Sequence, residues 1–276
     1  MEVLCAQTFL AAGWTARLGS HFNSDPFDTI RELDVLAEKE EQLPALGDLT
    51  FRLRVLVSCR GFPSERAPLT YSVSTSCVPS FSPRLLSSHR ARQSNTGGPP
   101  YGTLSSLEET SAEMLLSATS LAAARPVVAF DMLERNVTTG TGAKKVAPAT
   151  YKRCGDGDRQ LYTAIDSAVK AAFHWRNKDY ENPAYFSVLN VPVCILSQPF
   201  WDACIDGGVV AEPEIRHRGY QCNSYPDRPN PTQAMVLVWS ADELSELVRA
   251  LNDLFAWFRD ELKKPEYASR WTNLST

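Results

Sequence analysis

Two neighbouring apolar runs limit what this chain can fold into. The first is Arg31-Glu32-Leu33-Asp34-Val35-Leu36-Ala37; the second, about two dozen residues later, is Val55-Leu56-Val57-Ser58-Cys59-Arg60. In the second run Phe51, Leu53, Val55, Val57 and Cys59 alternate with Arg52, Arg54, Ser58 and Arg60. That is the period-2 pattern of a strand. Residues 30–38 and 50–60 are therefore expected as strands, joined through a loop that contains Pro44 and Gly47. Asp34 stands inside its apolar run, where a carboxylate without a partner is costly. A functional site, or a salt bridge to Arg60, accounts for it.

The other elements are read in the same way. Residues 2–12 form a short helix that ends at Gly13, and a strand-like stretch begins at Trp14. Residues 104–123 read as a helix and 126–133 as a short strand. Two further helices are expected at 158–176 and 241–263, the second opened by a capping box of Ser240 and Glu243. Strand candidates fall at 185–197, 209–217 and 233–239. Pro79 to Pro100 is rich in Ser, Pro, Arg and Gly, and residues 135–157 are polar and Gly/Thr-rich. No repeat or linker divides the chain. The expectation is one α/β domain over 1–276, a mixed central sheet flanked by helices, with a Ser/Pro/Arg-rich insertion at about 79–150.

Composition narrows the function classes. A net charge of -4 excludes a uniformly basic nucleic-acid coat and leaves room for a local basic face. The seven cysteines have no C-x-x-C or C-x-x-H spacing, which argues against structural zinc and for reduced thiols in a cytoplasmic protein. His21, His89, His174 and His217 show no ligand spacing, and no P-loop, G-x-S-x-G or dinucleotide fingerprint is present. The N-terminus has no signal-peptide pattern and no run reaches the roughly 18 apolar residues of a membrane helix, so no membrane association is expected.

The string Glu-Leu-Asp-Val-Leu-Ala around Asp34, with the Ser58-Cys59-Arg60 strand after it, resembles the PD-(D/E)XK nuclease superfamily. The resemblance covers residues 2–60 and 158–197, roughly a third of the chain. It implies a restriction-endonuclease-like core in the order αβββαβ. Asp34 matches the metal-binding Asp, Glu2 the acid of the first helix, and Gln160, in Gln-Leu-Tyr-Thr-Ala, the later Gln. Ser58 and Arg60 stand where the family carries Glu and Lys. The cofactor implied for an active member is Mg²⁺ or Mn²⁺, held here by Asp34 and Glu2.

Metal-dependent phosphodiester hydrolysis needs hard oxygen ligands to polarise phosphate and to lower the pKa of a bound water. Serine is a poor ligand, and arginine stabilises charge without giving up a proton. The first expectation is therefore a nuclease-like domain with an eroded metal site, which binds DNA or RNA or scaffolds a partner without efficient hydrolysis. One alternative is an active nuclease in which Glu32 or Glu38, on the same strand as Asp34, replaces the missing carboxylate. The other is a protein-interaction module, with a protein partner or a second copy of the chain. Basic residues crowd the stretch 51–100, and Arg52, Arg54 and Arg60 are the candidate phosphate contacts. Each residue also has a plain reading: Glu2 as a helix-terminal acid, Gln160 as a surface residue, Cys59 as core.

Overall fold

The two expected strands are present as β2 (Thr29–Leu43) and β3 (Leu49–Arg60), and they pair antiparallel as a hairpin, in register from Leu43 opposite Leu49 to Val35 opposite Val57. A short 3₁₀ turn, Pro44–Leu46, closes on Gly47 at φ 69°, a left-handed conformation that favours glycine. The computed structural model describes residues 1–24, 29–63, 66–73, 83–91, 101–136, 150–153, 158–182, 184–206, 208–225 and 232–271. Much of the insertion, with Cys77 and Cys154, lies outside them.

The hairpin belongs to a larger sheet. Helix α1 (Glu2–Ala11) leads into β1 (Thr15–Ser24), which pairs antiparallel with β2. Helix α3 (Asp158–Asp179) leads into β9 (Phe186–Leu196), which pairs parallel with β3 over eleven residues of each. The order α1-β1-β2-β3-α3-β9, with its four strands side by side, is one continuous edge of the sheet. Beyond β9 come β14 (Thr232–Ser240), β13 (Arg218–Tyr225), β7 (Val127–Asn136), β4 (Arg66–Val73), β10 (Phe200–Asp206) and β11 (Val209–Val210). Four short strands complete it: β5 (Leu86–Arg90), β6 (Tyr101–Gly102), β8 (Thr150–Arg153) and β12 (Glu214–Arg216). The sheet is mixed, with fourteen strands among the described residues.

The region read as an insertion is partly structural. β5 pairs with β9, and β7 lies between β13 and β4 in mid-sheet. β4, β10 and β13 were absent from the sequence expectation. Pro68 interrupts the β4 pattern, and the polar side chains of Arg218–Tyr225 hide the strand period.

Helices cover both faces. On one face Phe9 of α1, Leu115 of α2 (Ser105–Ala118) and Leu247, Leu251 and Phe258 of α4 (Leu244–Glu261) pack on Val55, Val57, Val193 and Leu237. On the other, Leu161, Ile165, Val169 and Ala172 of α3 pack on Leu56, Cys194, Val236 and Val238. Both helices present apolar residues three and four apart, the spacing of a single helical face. The double cover explains why β3 is buried continuously from Leu53 through Cys59 instead of alternately. Arg54, at one of these positions, lies against Asp179 and Trp175 of helix α3 instead of in water. Among the described residues no helix is long and apolar enough to cross a membrane.

One buried base links this packing to pH. His89 of β5 is 4% exposed, with Nδ1 2.6 Å from Ser187 Oγ and no hydrogen-bond partner at Nε2 among the described residues. Burial, aided by nearby Arg270, holds its pKa down at about 3 against an ordinary 6.5. Between those values the unfolded chain binds a proton that the folded chain refuses. Stability is therefore full above the ordinary value and falls by about 1.4 kcal/mol per pH unit as the pH drops through this window. His89→Gln is expected to lessen the loss between pH 6.5 and 5 by about 2 kcal/mol, measured by urea unfolding. Equal losses in both proteins would refute the assignment.

Candidate functional site

The local backbone turns Asp34 out of the sheet's hydrogen-bond ladders. Pairing of β2 with β3 stops at Val35, and Asp34 pairs with neither neighbour. The inside–outside alternation slips by one at this residue: Leu33 packs on the α3 side, whereas Val35 and Ala37 pack on the α1 and α4 side. Across the hairpin, Gly19 of β1 adopts φ 63°, and a Cβ there would come within 3.0 Å of Glu32 Oε1. The backbone angle is what favours glycine at 19, since the exposed Glu32 side chain can move aside.

The displaced carboxylate meets the end of β3. Asp34 Oδ2 accepts from the Cys59 backbone N–H at 2.5 Å and from Ser58 Oγ at 3.2 Å, and Arg60 Nη1 lies 3.6 Å away. Arg60 Nη1 also donates to the Cys59 carbonyl at 2.8 Å. The next turn closes on the same place, for Ser197 N–H donates to the Arg60 carbonyl and Phe62 N–H to Ser197 Oγ. The structure therefore brings Asp34, Ser58 and Arg60 together.

Glu2 is exposed on the first turn of α1, and no hydrogen bond or ion pair joins it to Ser58 or Arg60. The same helix reaches the site through Cys5. A hydrogen bond with Cys5, then burial, pushes the Cys59 thiol upward; burial pushes that of Cys194, beside Ser58 on β9, up to about 12. Such thiols are protonated core groups, not nucleophiles, at neutral pH. Gln160 falls on the first turn of α3, and its side chain lies outside the described residues.

The candidate phosphate arginines divide. Arg60 is 31% exposed. Arg52 pairs with Glu40 at 2.6 Å and with Glu38 at 3.4 Å. Arg54 is 1% exposed and its donors are taken: Asp179 holds both terminal nitrogens at 3.0 Å, Glu38 Oε1 holds Nε at 2.8 Å, and Asn190 accepts at 3.1 Å. Its guanidinium also lies 5.0 Å from the centre of the Trp175 ring. Burial opposes the charge on Arg54, and Asp179 and Glu38 outweigh it, raising its pKa. Burial likewise raises Glu38, while Arg54, Arg52 and Arg17 hold its carboxyl below the usual range. Phosphate reaching Arg54 would have to displace Asp179 from the core.

The donor set at Asp34 does not suit Mg²⁺. That ion needs near-octahedral oxygens at about 2.0–2.1 Å, whereas Asp34 Oδ2 faces an N–H, a neutral hydroxyl and a cation. Glu38 lies four residues along the strand, about 13 Å away, and is held by arginines. Glu32 is exposed beside Gly19. Among the described residues no three His, Cys, Asp or Glu side chains converge to hold a metal ion.

Asp179, Trp175 and Asn190 were not anticipated. A faint signal existed: Asp179 closes a helix, where the macrodipole disfavours an acid unless a cation meets it. Comparison with protein-family models, with curated proteins and with solved structures found no match.

Proposed function

We propose that this chain is a nuclease-like domain of PD-(D/E)XK type whose metal site has eroded, and that it binds nucleic acid without efficient hydrolysis. The observation that carries the reading is the meeting of Asp34 with Ser58 and Arg60 at adjacent strand positions. In an active relative, those positions would hold the Asp, Glu and Lys. Here the Asp34 carboxylate is satisfied by protein donors, so the geometry of a metal site has become a polar knot. The element order α1-β1-β2-β3-α3-β9 supports the same reading. Arg52 and Arg54 are engaged by acids at 2.6 and 3.0 Å, whereas Arg60, more loosely paired with Asp34 at 3.6 Å and 31% exposed, is the phosphate contact of this reading.

The test uses labelled single-stranded and duplex DNA and RNA with Mg²⁺ or Mn²⁺. The expected result is binding that weakens with salt, without cleavage. Arg60→Gln should lower the salt slope by about one phosphate contact. Metal-dependent cleavage abolished by Asp34→Ala would establish the active-nuclease alternative. Neither binding nor cleavage would leave a protein-interaction module.

A further inference from the structure

A cavity of about 840 Å³ opens between β10, the β12–β13 segment and residues 120–127, and it shares no lining residue with the Asp34 knot. Phe200 and Val127 give it an apolar floor; a Cβ on Gly219 would sit 3.4 Å from the Phe200 ring. Asp202 and Cys204 line it from alternate positions of β10. Thr70 Oγ1 and Ser72 Oγ donate to the two oxygens of Asp202 at 2.7 and 2.9 Å, and no cation among the described residues pairs with it. The Arg125 guanidinium donates to Cys204 Sγ and meets no carboxylate among the described residues.

The other arginines on the walls are already neutralised. Arg216 pairs with Glu214 at 3.1 Å, and Arg218 with Glu246 at 3.0 Å. Of the lining carboxylates, Asp202, Asp206 and Glu212 have no charged partner among the described residues, the latter two exposed; half-buried Asp202 shares the cavity with Arg125, the guanidinium that meets no carboxylate. The two strand positions that hold them, Asp202 itself and Cys204 against Arg125, are about 7 Å apart. Asp206 and Glu212 at the mouth add negative charge, which disfavours polyanions such as nucleotides.

We propose that this cavity binds a free α-amino acid with an apolar side chain. Asp202, oriented by Thr70 and Ser72, takes the ammonium group; Arg125 takes the carboxylate; the side chain rests on Phe200 and Val127. A ligand that lacks either charge leaves one protein charge unmet, so both are required for tight binding.

Isothermal titration of the full chain with L-leucine and L-phenylalanine tests this. Saturable binding is expected, and isoamylamine and 4-methylpentanoate, which each lack one charge, should bind at least about tenfold more weakly. Asp202→Asn and Arg125→Gln should each weaken L-leucine binding by about tenfold or more. Circular dichroism checks both variants; if Asp202→Asn fails to fold, exposed Arg125 decides the matter alone. No saturable binding of either amino acid at about 10 mM, or undiminished binding in a folded Arg125→Gln, overturns the proposal.

Discussion

Asp179→Ala is expected to destabilise the protein by about 3–5 kcal/mol, the usual effect of removing one partner from a buried ion pair. Arg54 is 1% exposed and Asp179 8%, so water cannot replace the lost carboxylate. Asp179 holds two guanidinium nitrogens and also accepts from Ser88 Oγ at 2.7 Å. Its removal leaves a hydroxyl and most of a buried cation unsatisfied. Glu38, the remaining acid, is shared with Arg17 and Arg52. Removing both charges should be milder: an Arg54→Met, Asp179→Leu double variant should retain most of what the single change loses, since apolar replacements of a buried pair are often neutral. Urea midpoints of the three proteins measure this. A loss below about 1 kcal/mol for Asp179→Ala would show that the pair behaves as an exposed one.

Restoring the family pattern is the second large effect. A Ser58→Glu, Arg60→Lys variant puts a second carboxylate beside Asp34, at a position that is 2% exposed. Two carboxylates there repel, so without metal the variant should be less stable than the parent. Mn²⁺ should reverse this, by about 2.7 kcal/mol at a hundredfold excess over its Kd, and the parent should not respond. Metal-dependent cleavage of nucleic acid is expected to accompany the shift. The thermal readout separates metal binding from catalysis. A folded variant that neither gains stability with Mn²⁺ nor cuts would remove the basis for reading these positions as a former nuclease site.

How much of this was legible depends on range along the chain. The strand identity of 50–60 follows from period-2 patterning and that of 30–38 from its compact apolar run; the short Pro44–Gly47 turn that the structure places between them makes them antiparallel neighbours. Asp34 must then face the end of β3, and the approach of Ser58 and Arg60 to it needs no other part of the chain. Arg54 is the contrary case. In the sequence it alternates with apolar residues as an outward-facing basic side chain would, which is why it read as a phosphate contact. Its partners Asp179 and Asn190 lie 125 and 136 residues away, and nothing local announces that α3 will cover that face.

The same division holds for the whole molecule. Local patterning was enough to identify β2 and β3 as strands and α3 and α4 as helices, because a side chain's direction on a strand or helix depends only on its neighbours in sequence. Which polar residues became core, where β4, β10 and β13 entered the sheet, and the cavity that leaves Asp202 and Arg125 without charged partners were decided by packing. Those outcomes depend on contacts between distant segments, whose desolvation and pairing exist only once the layers have closed.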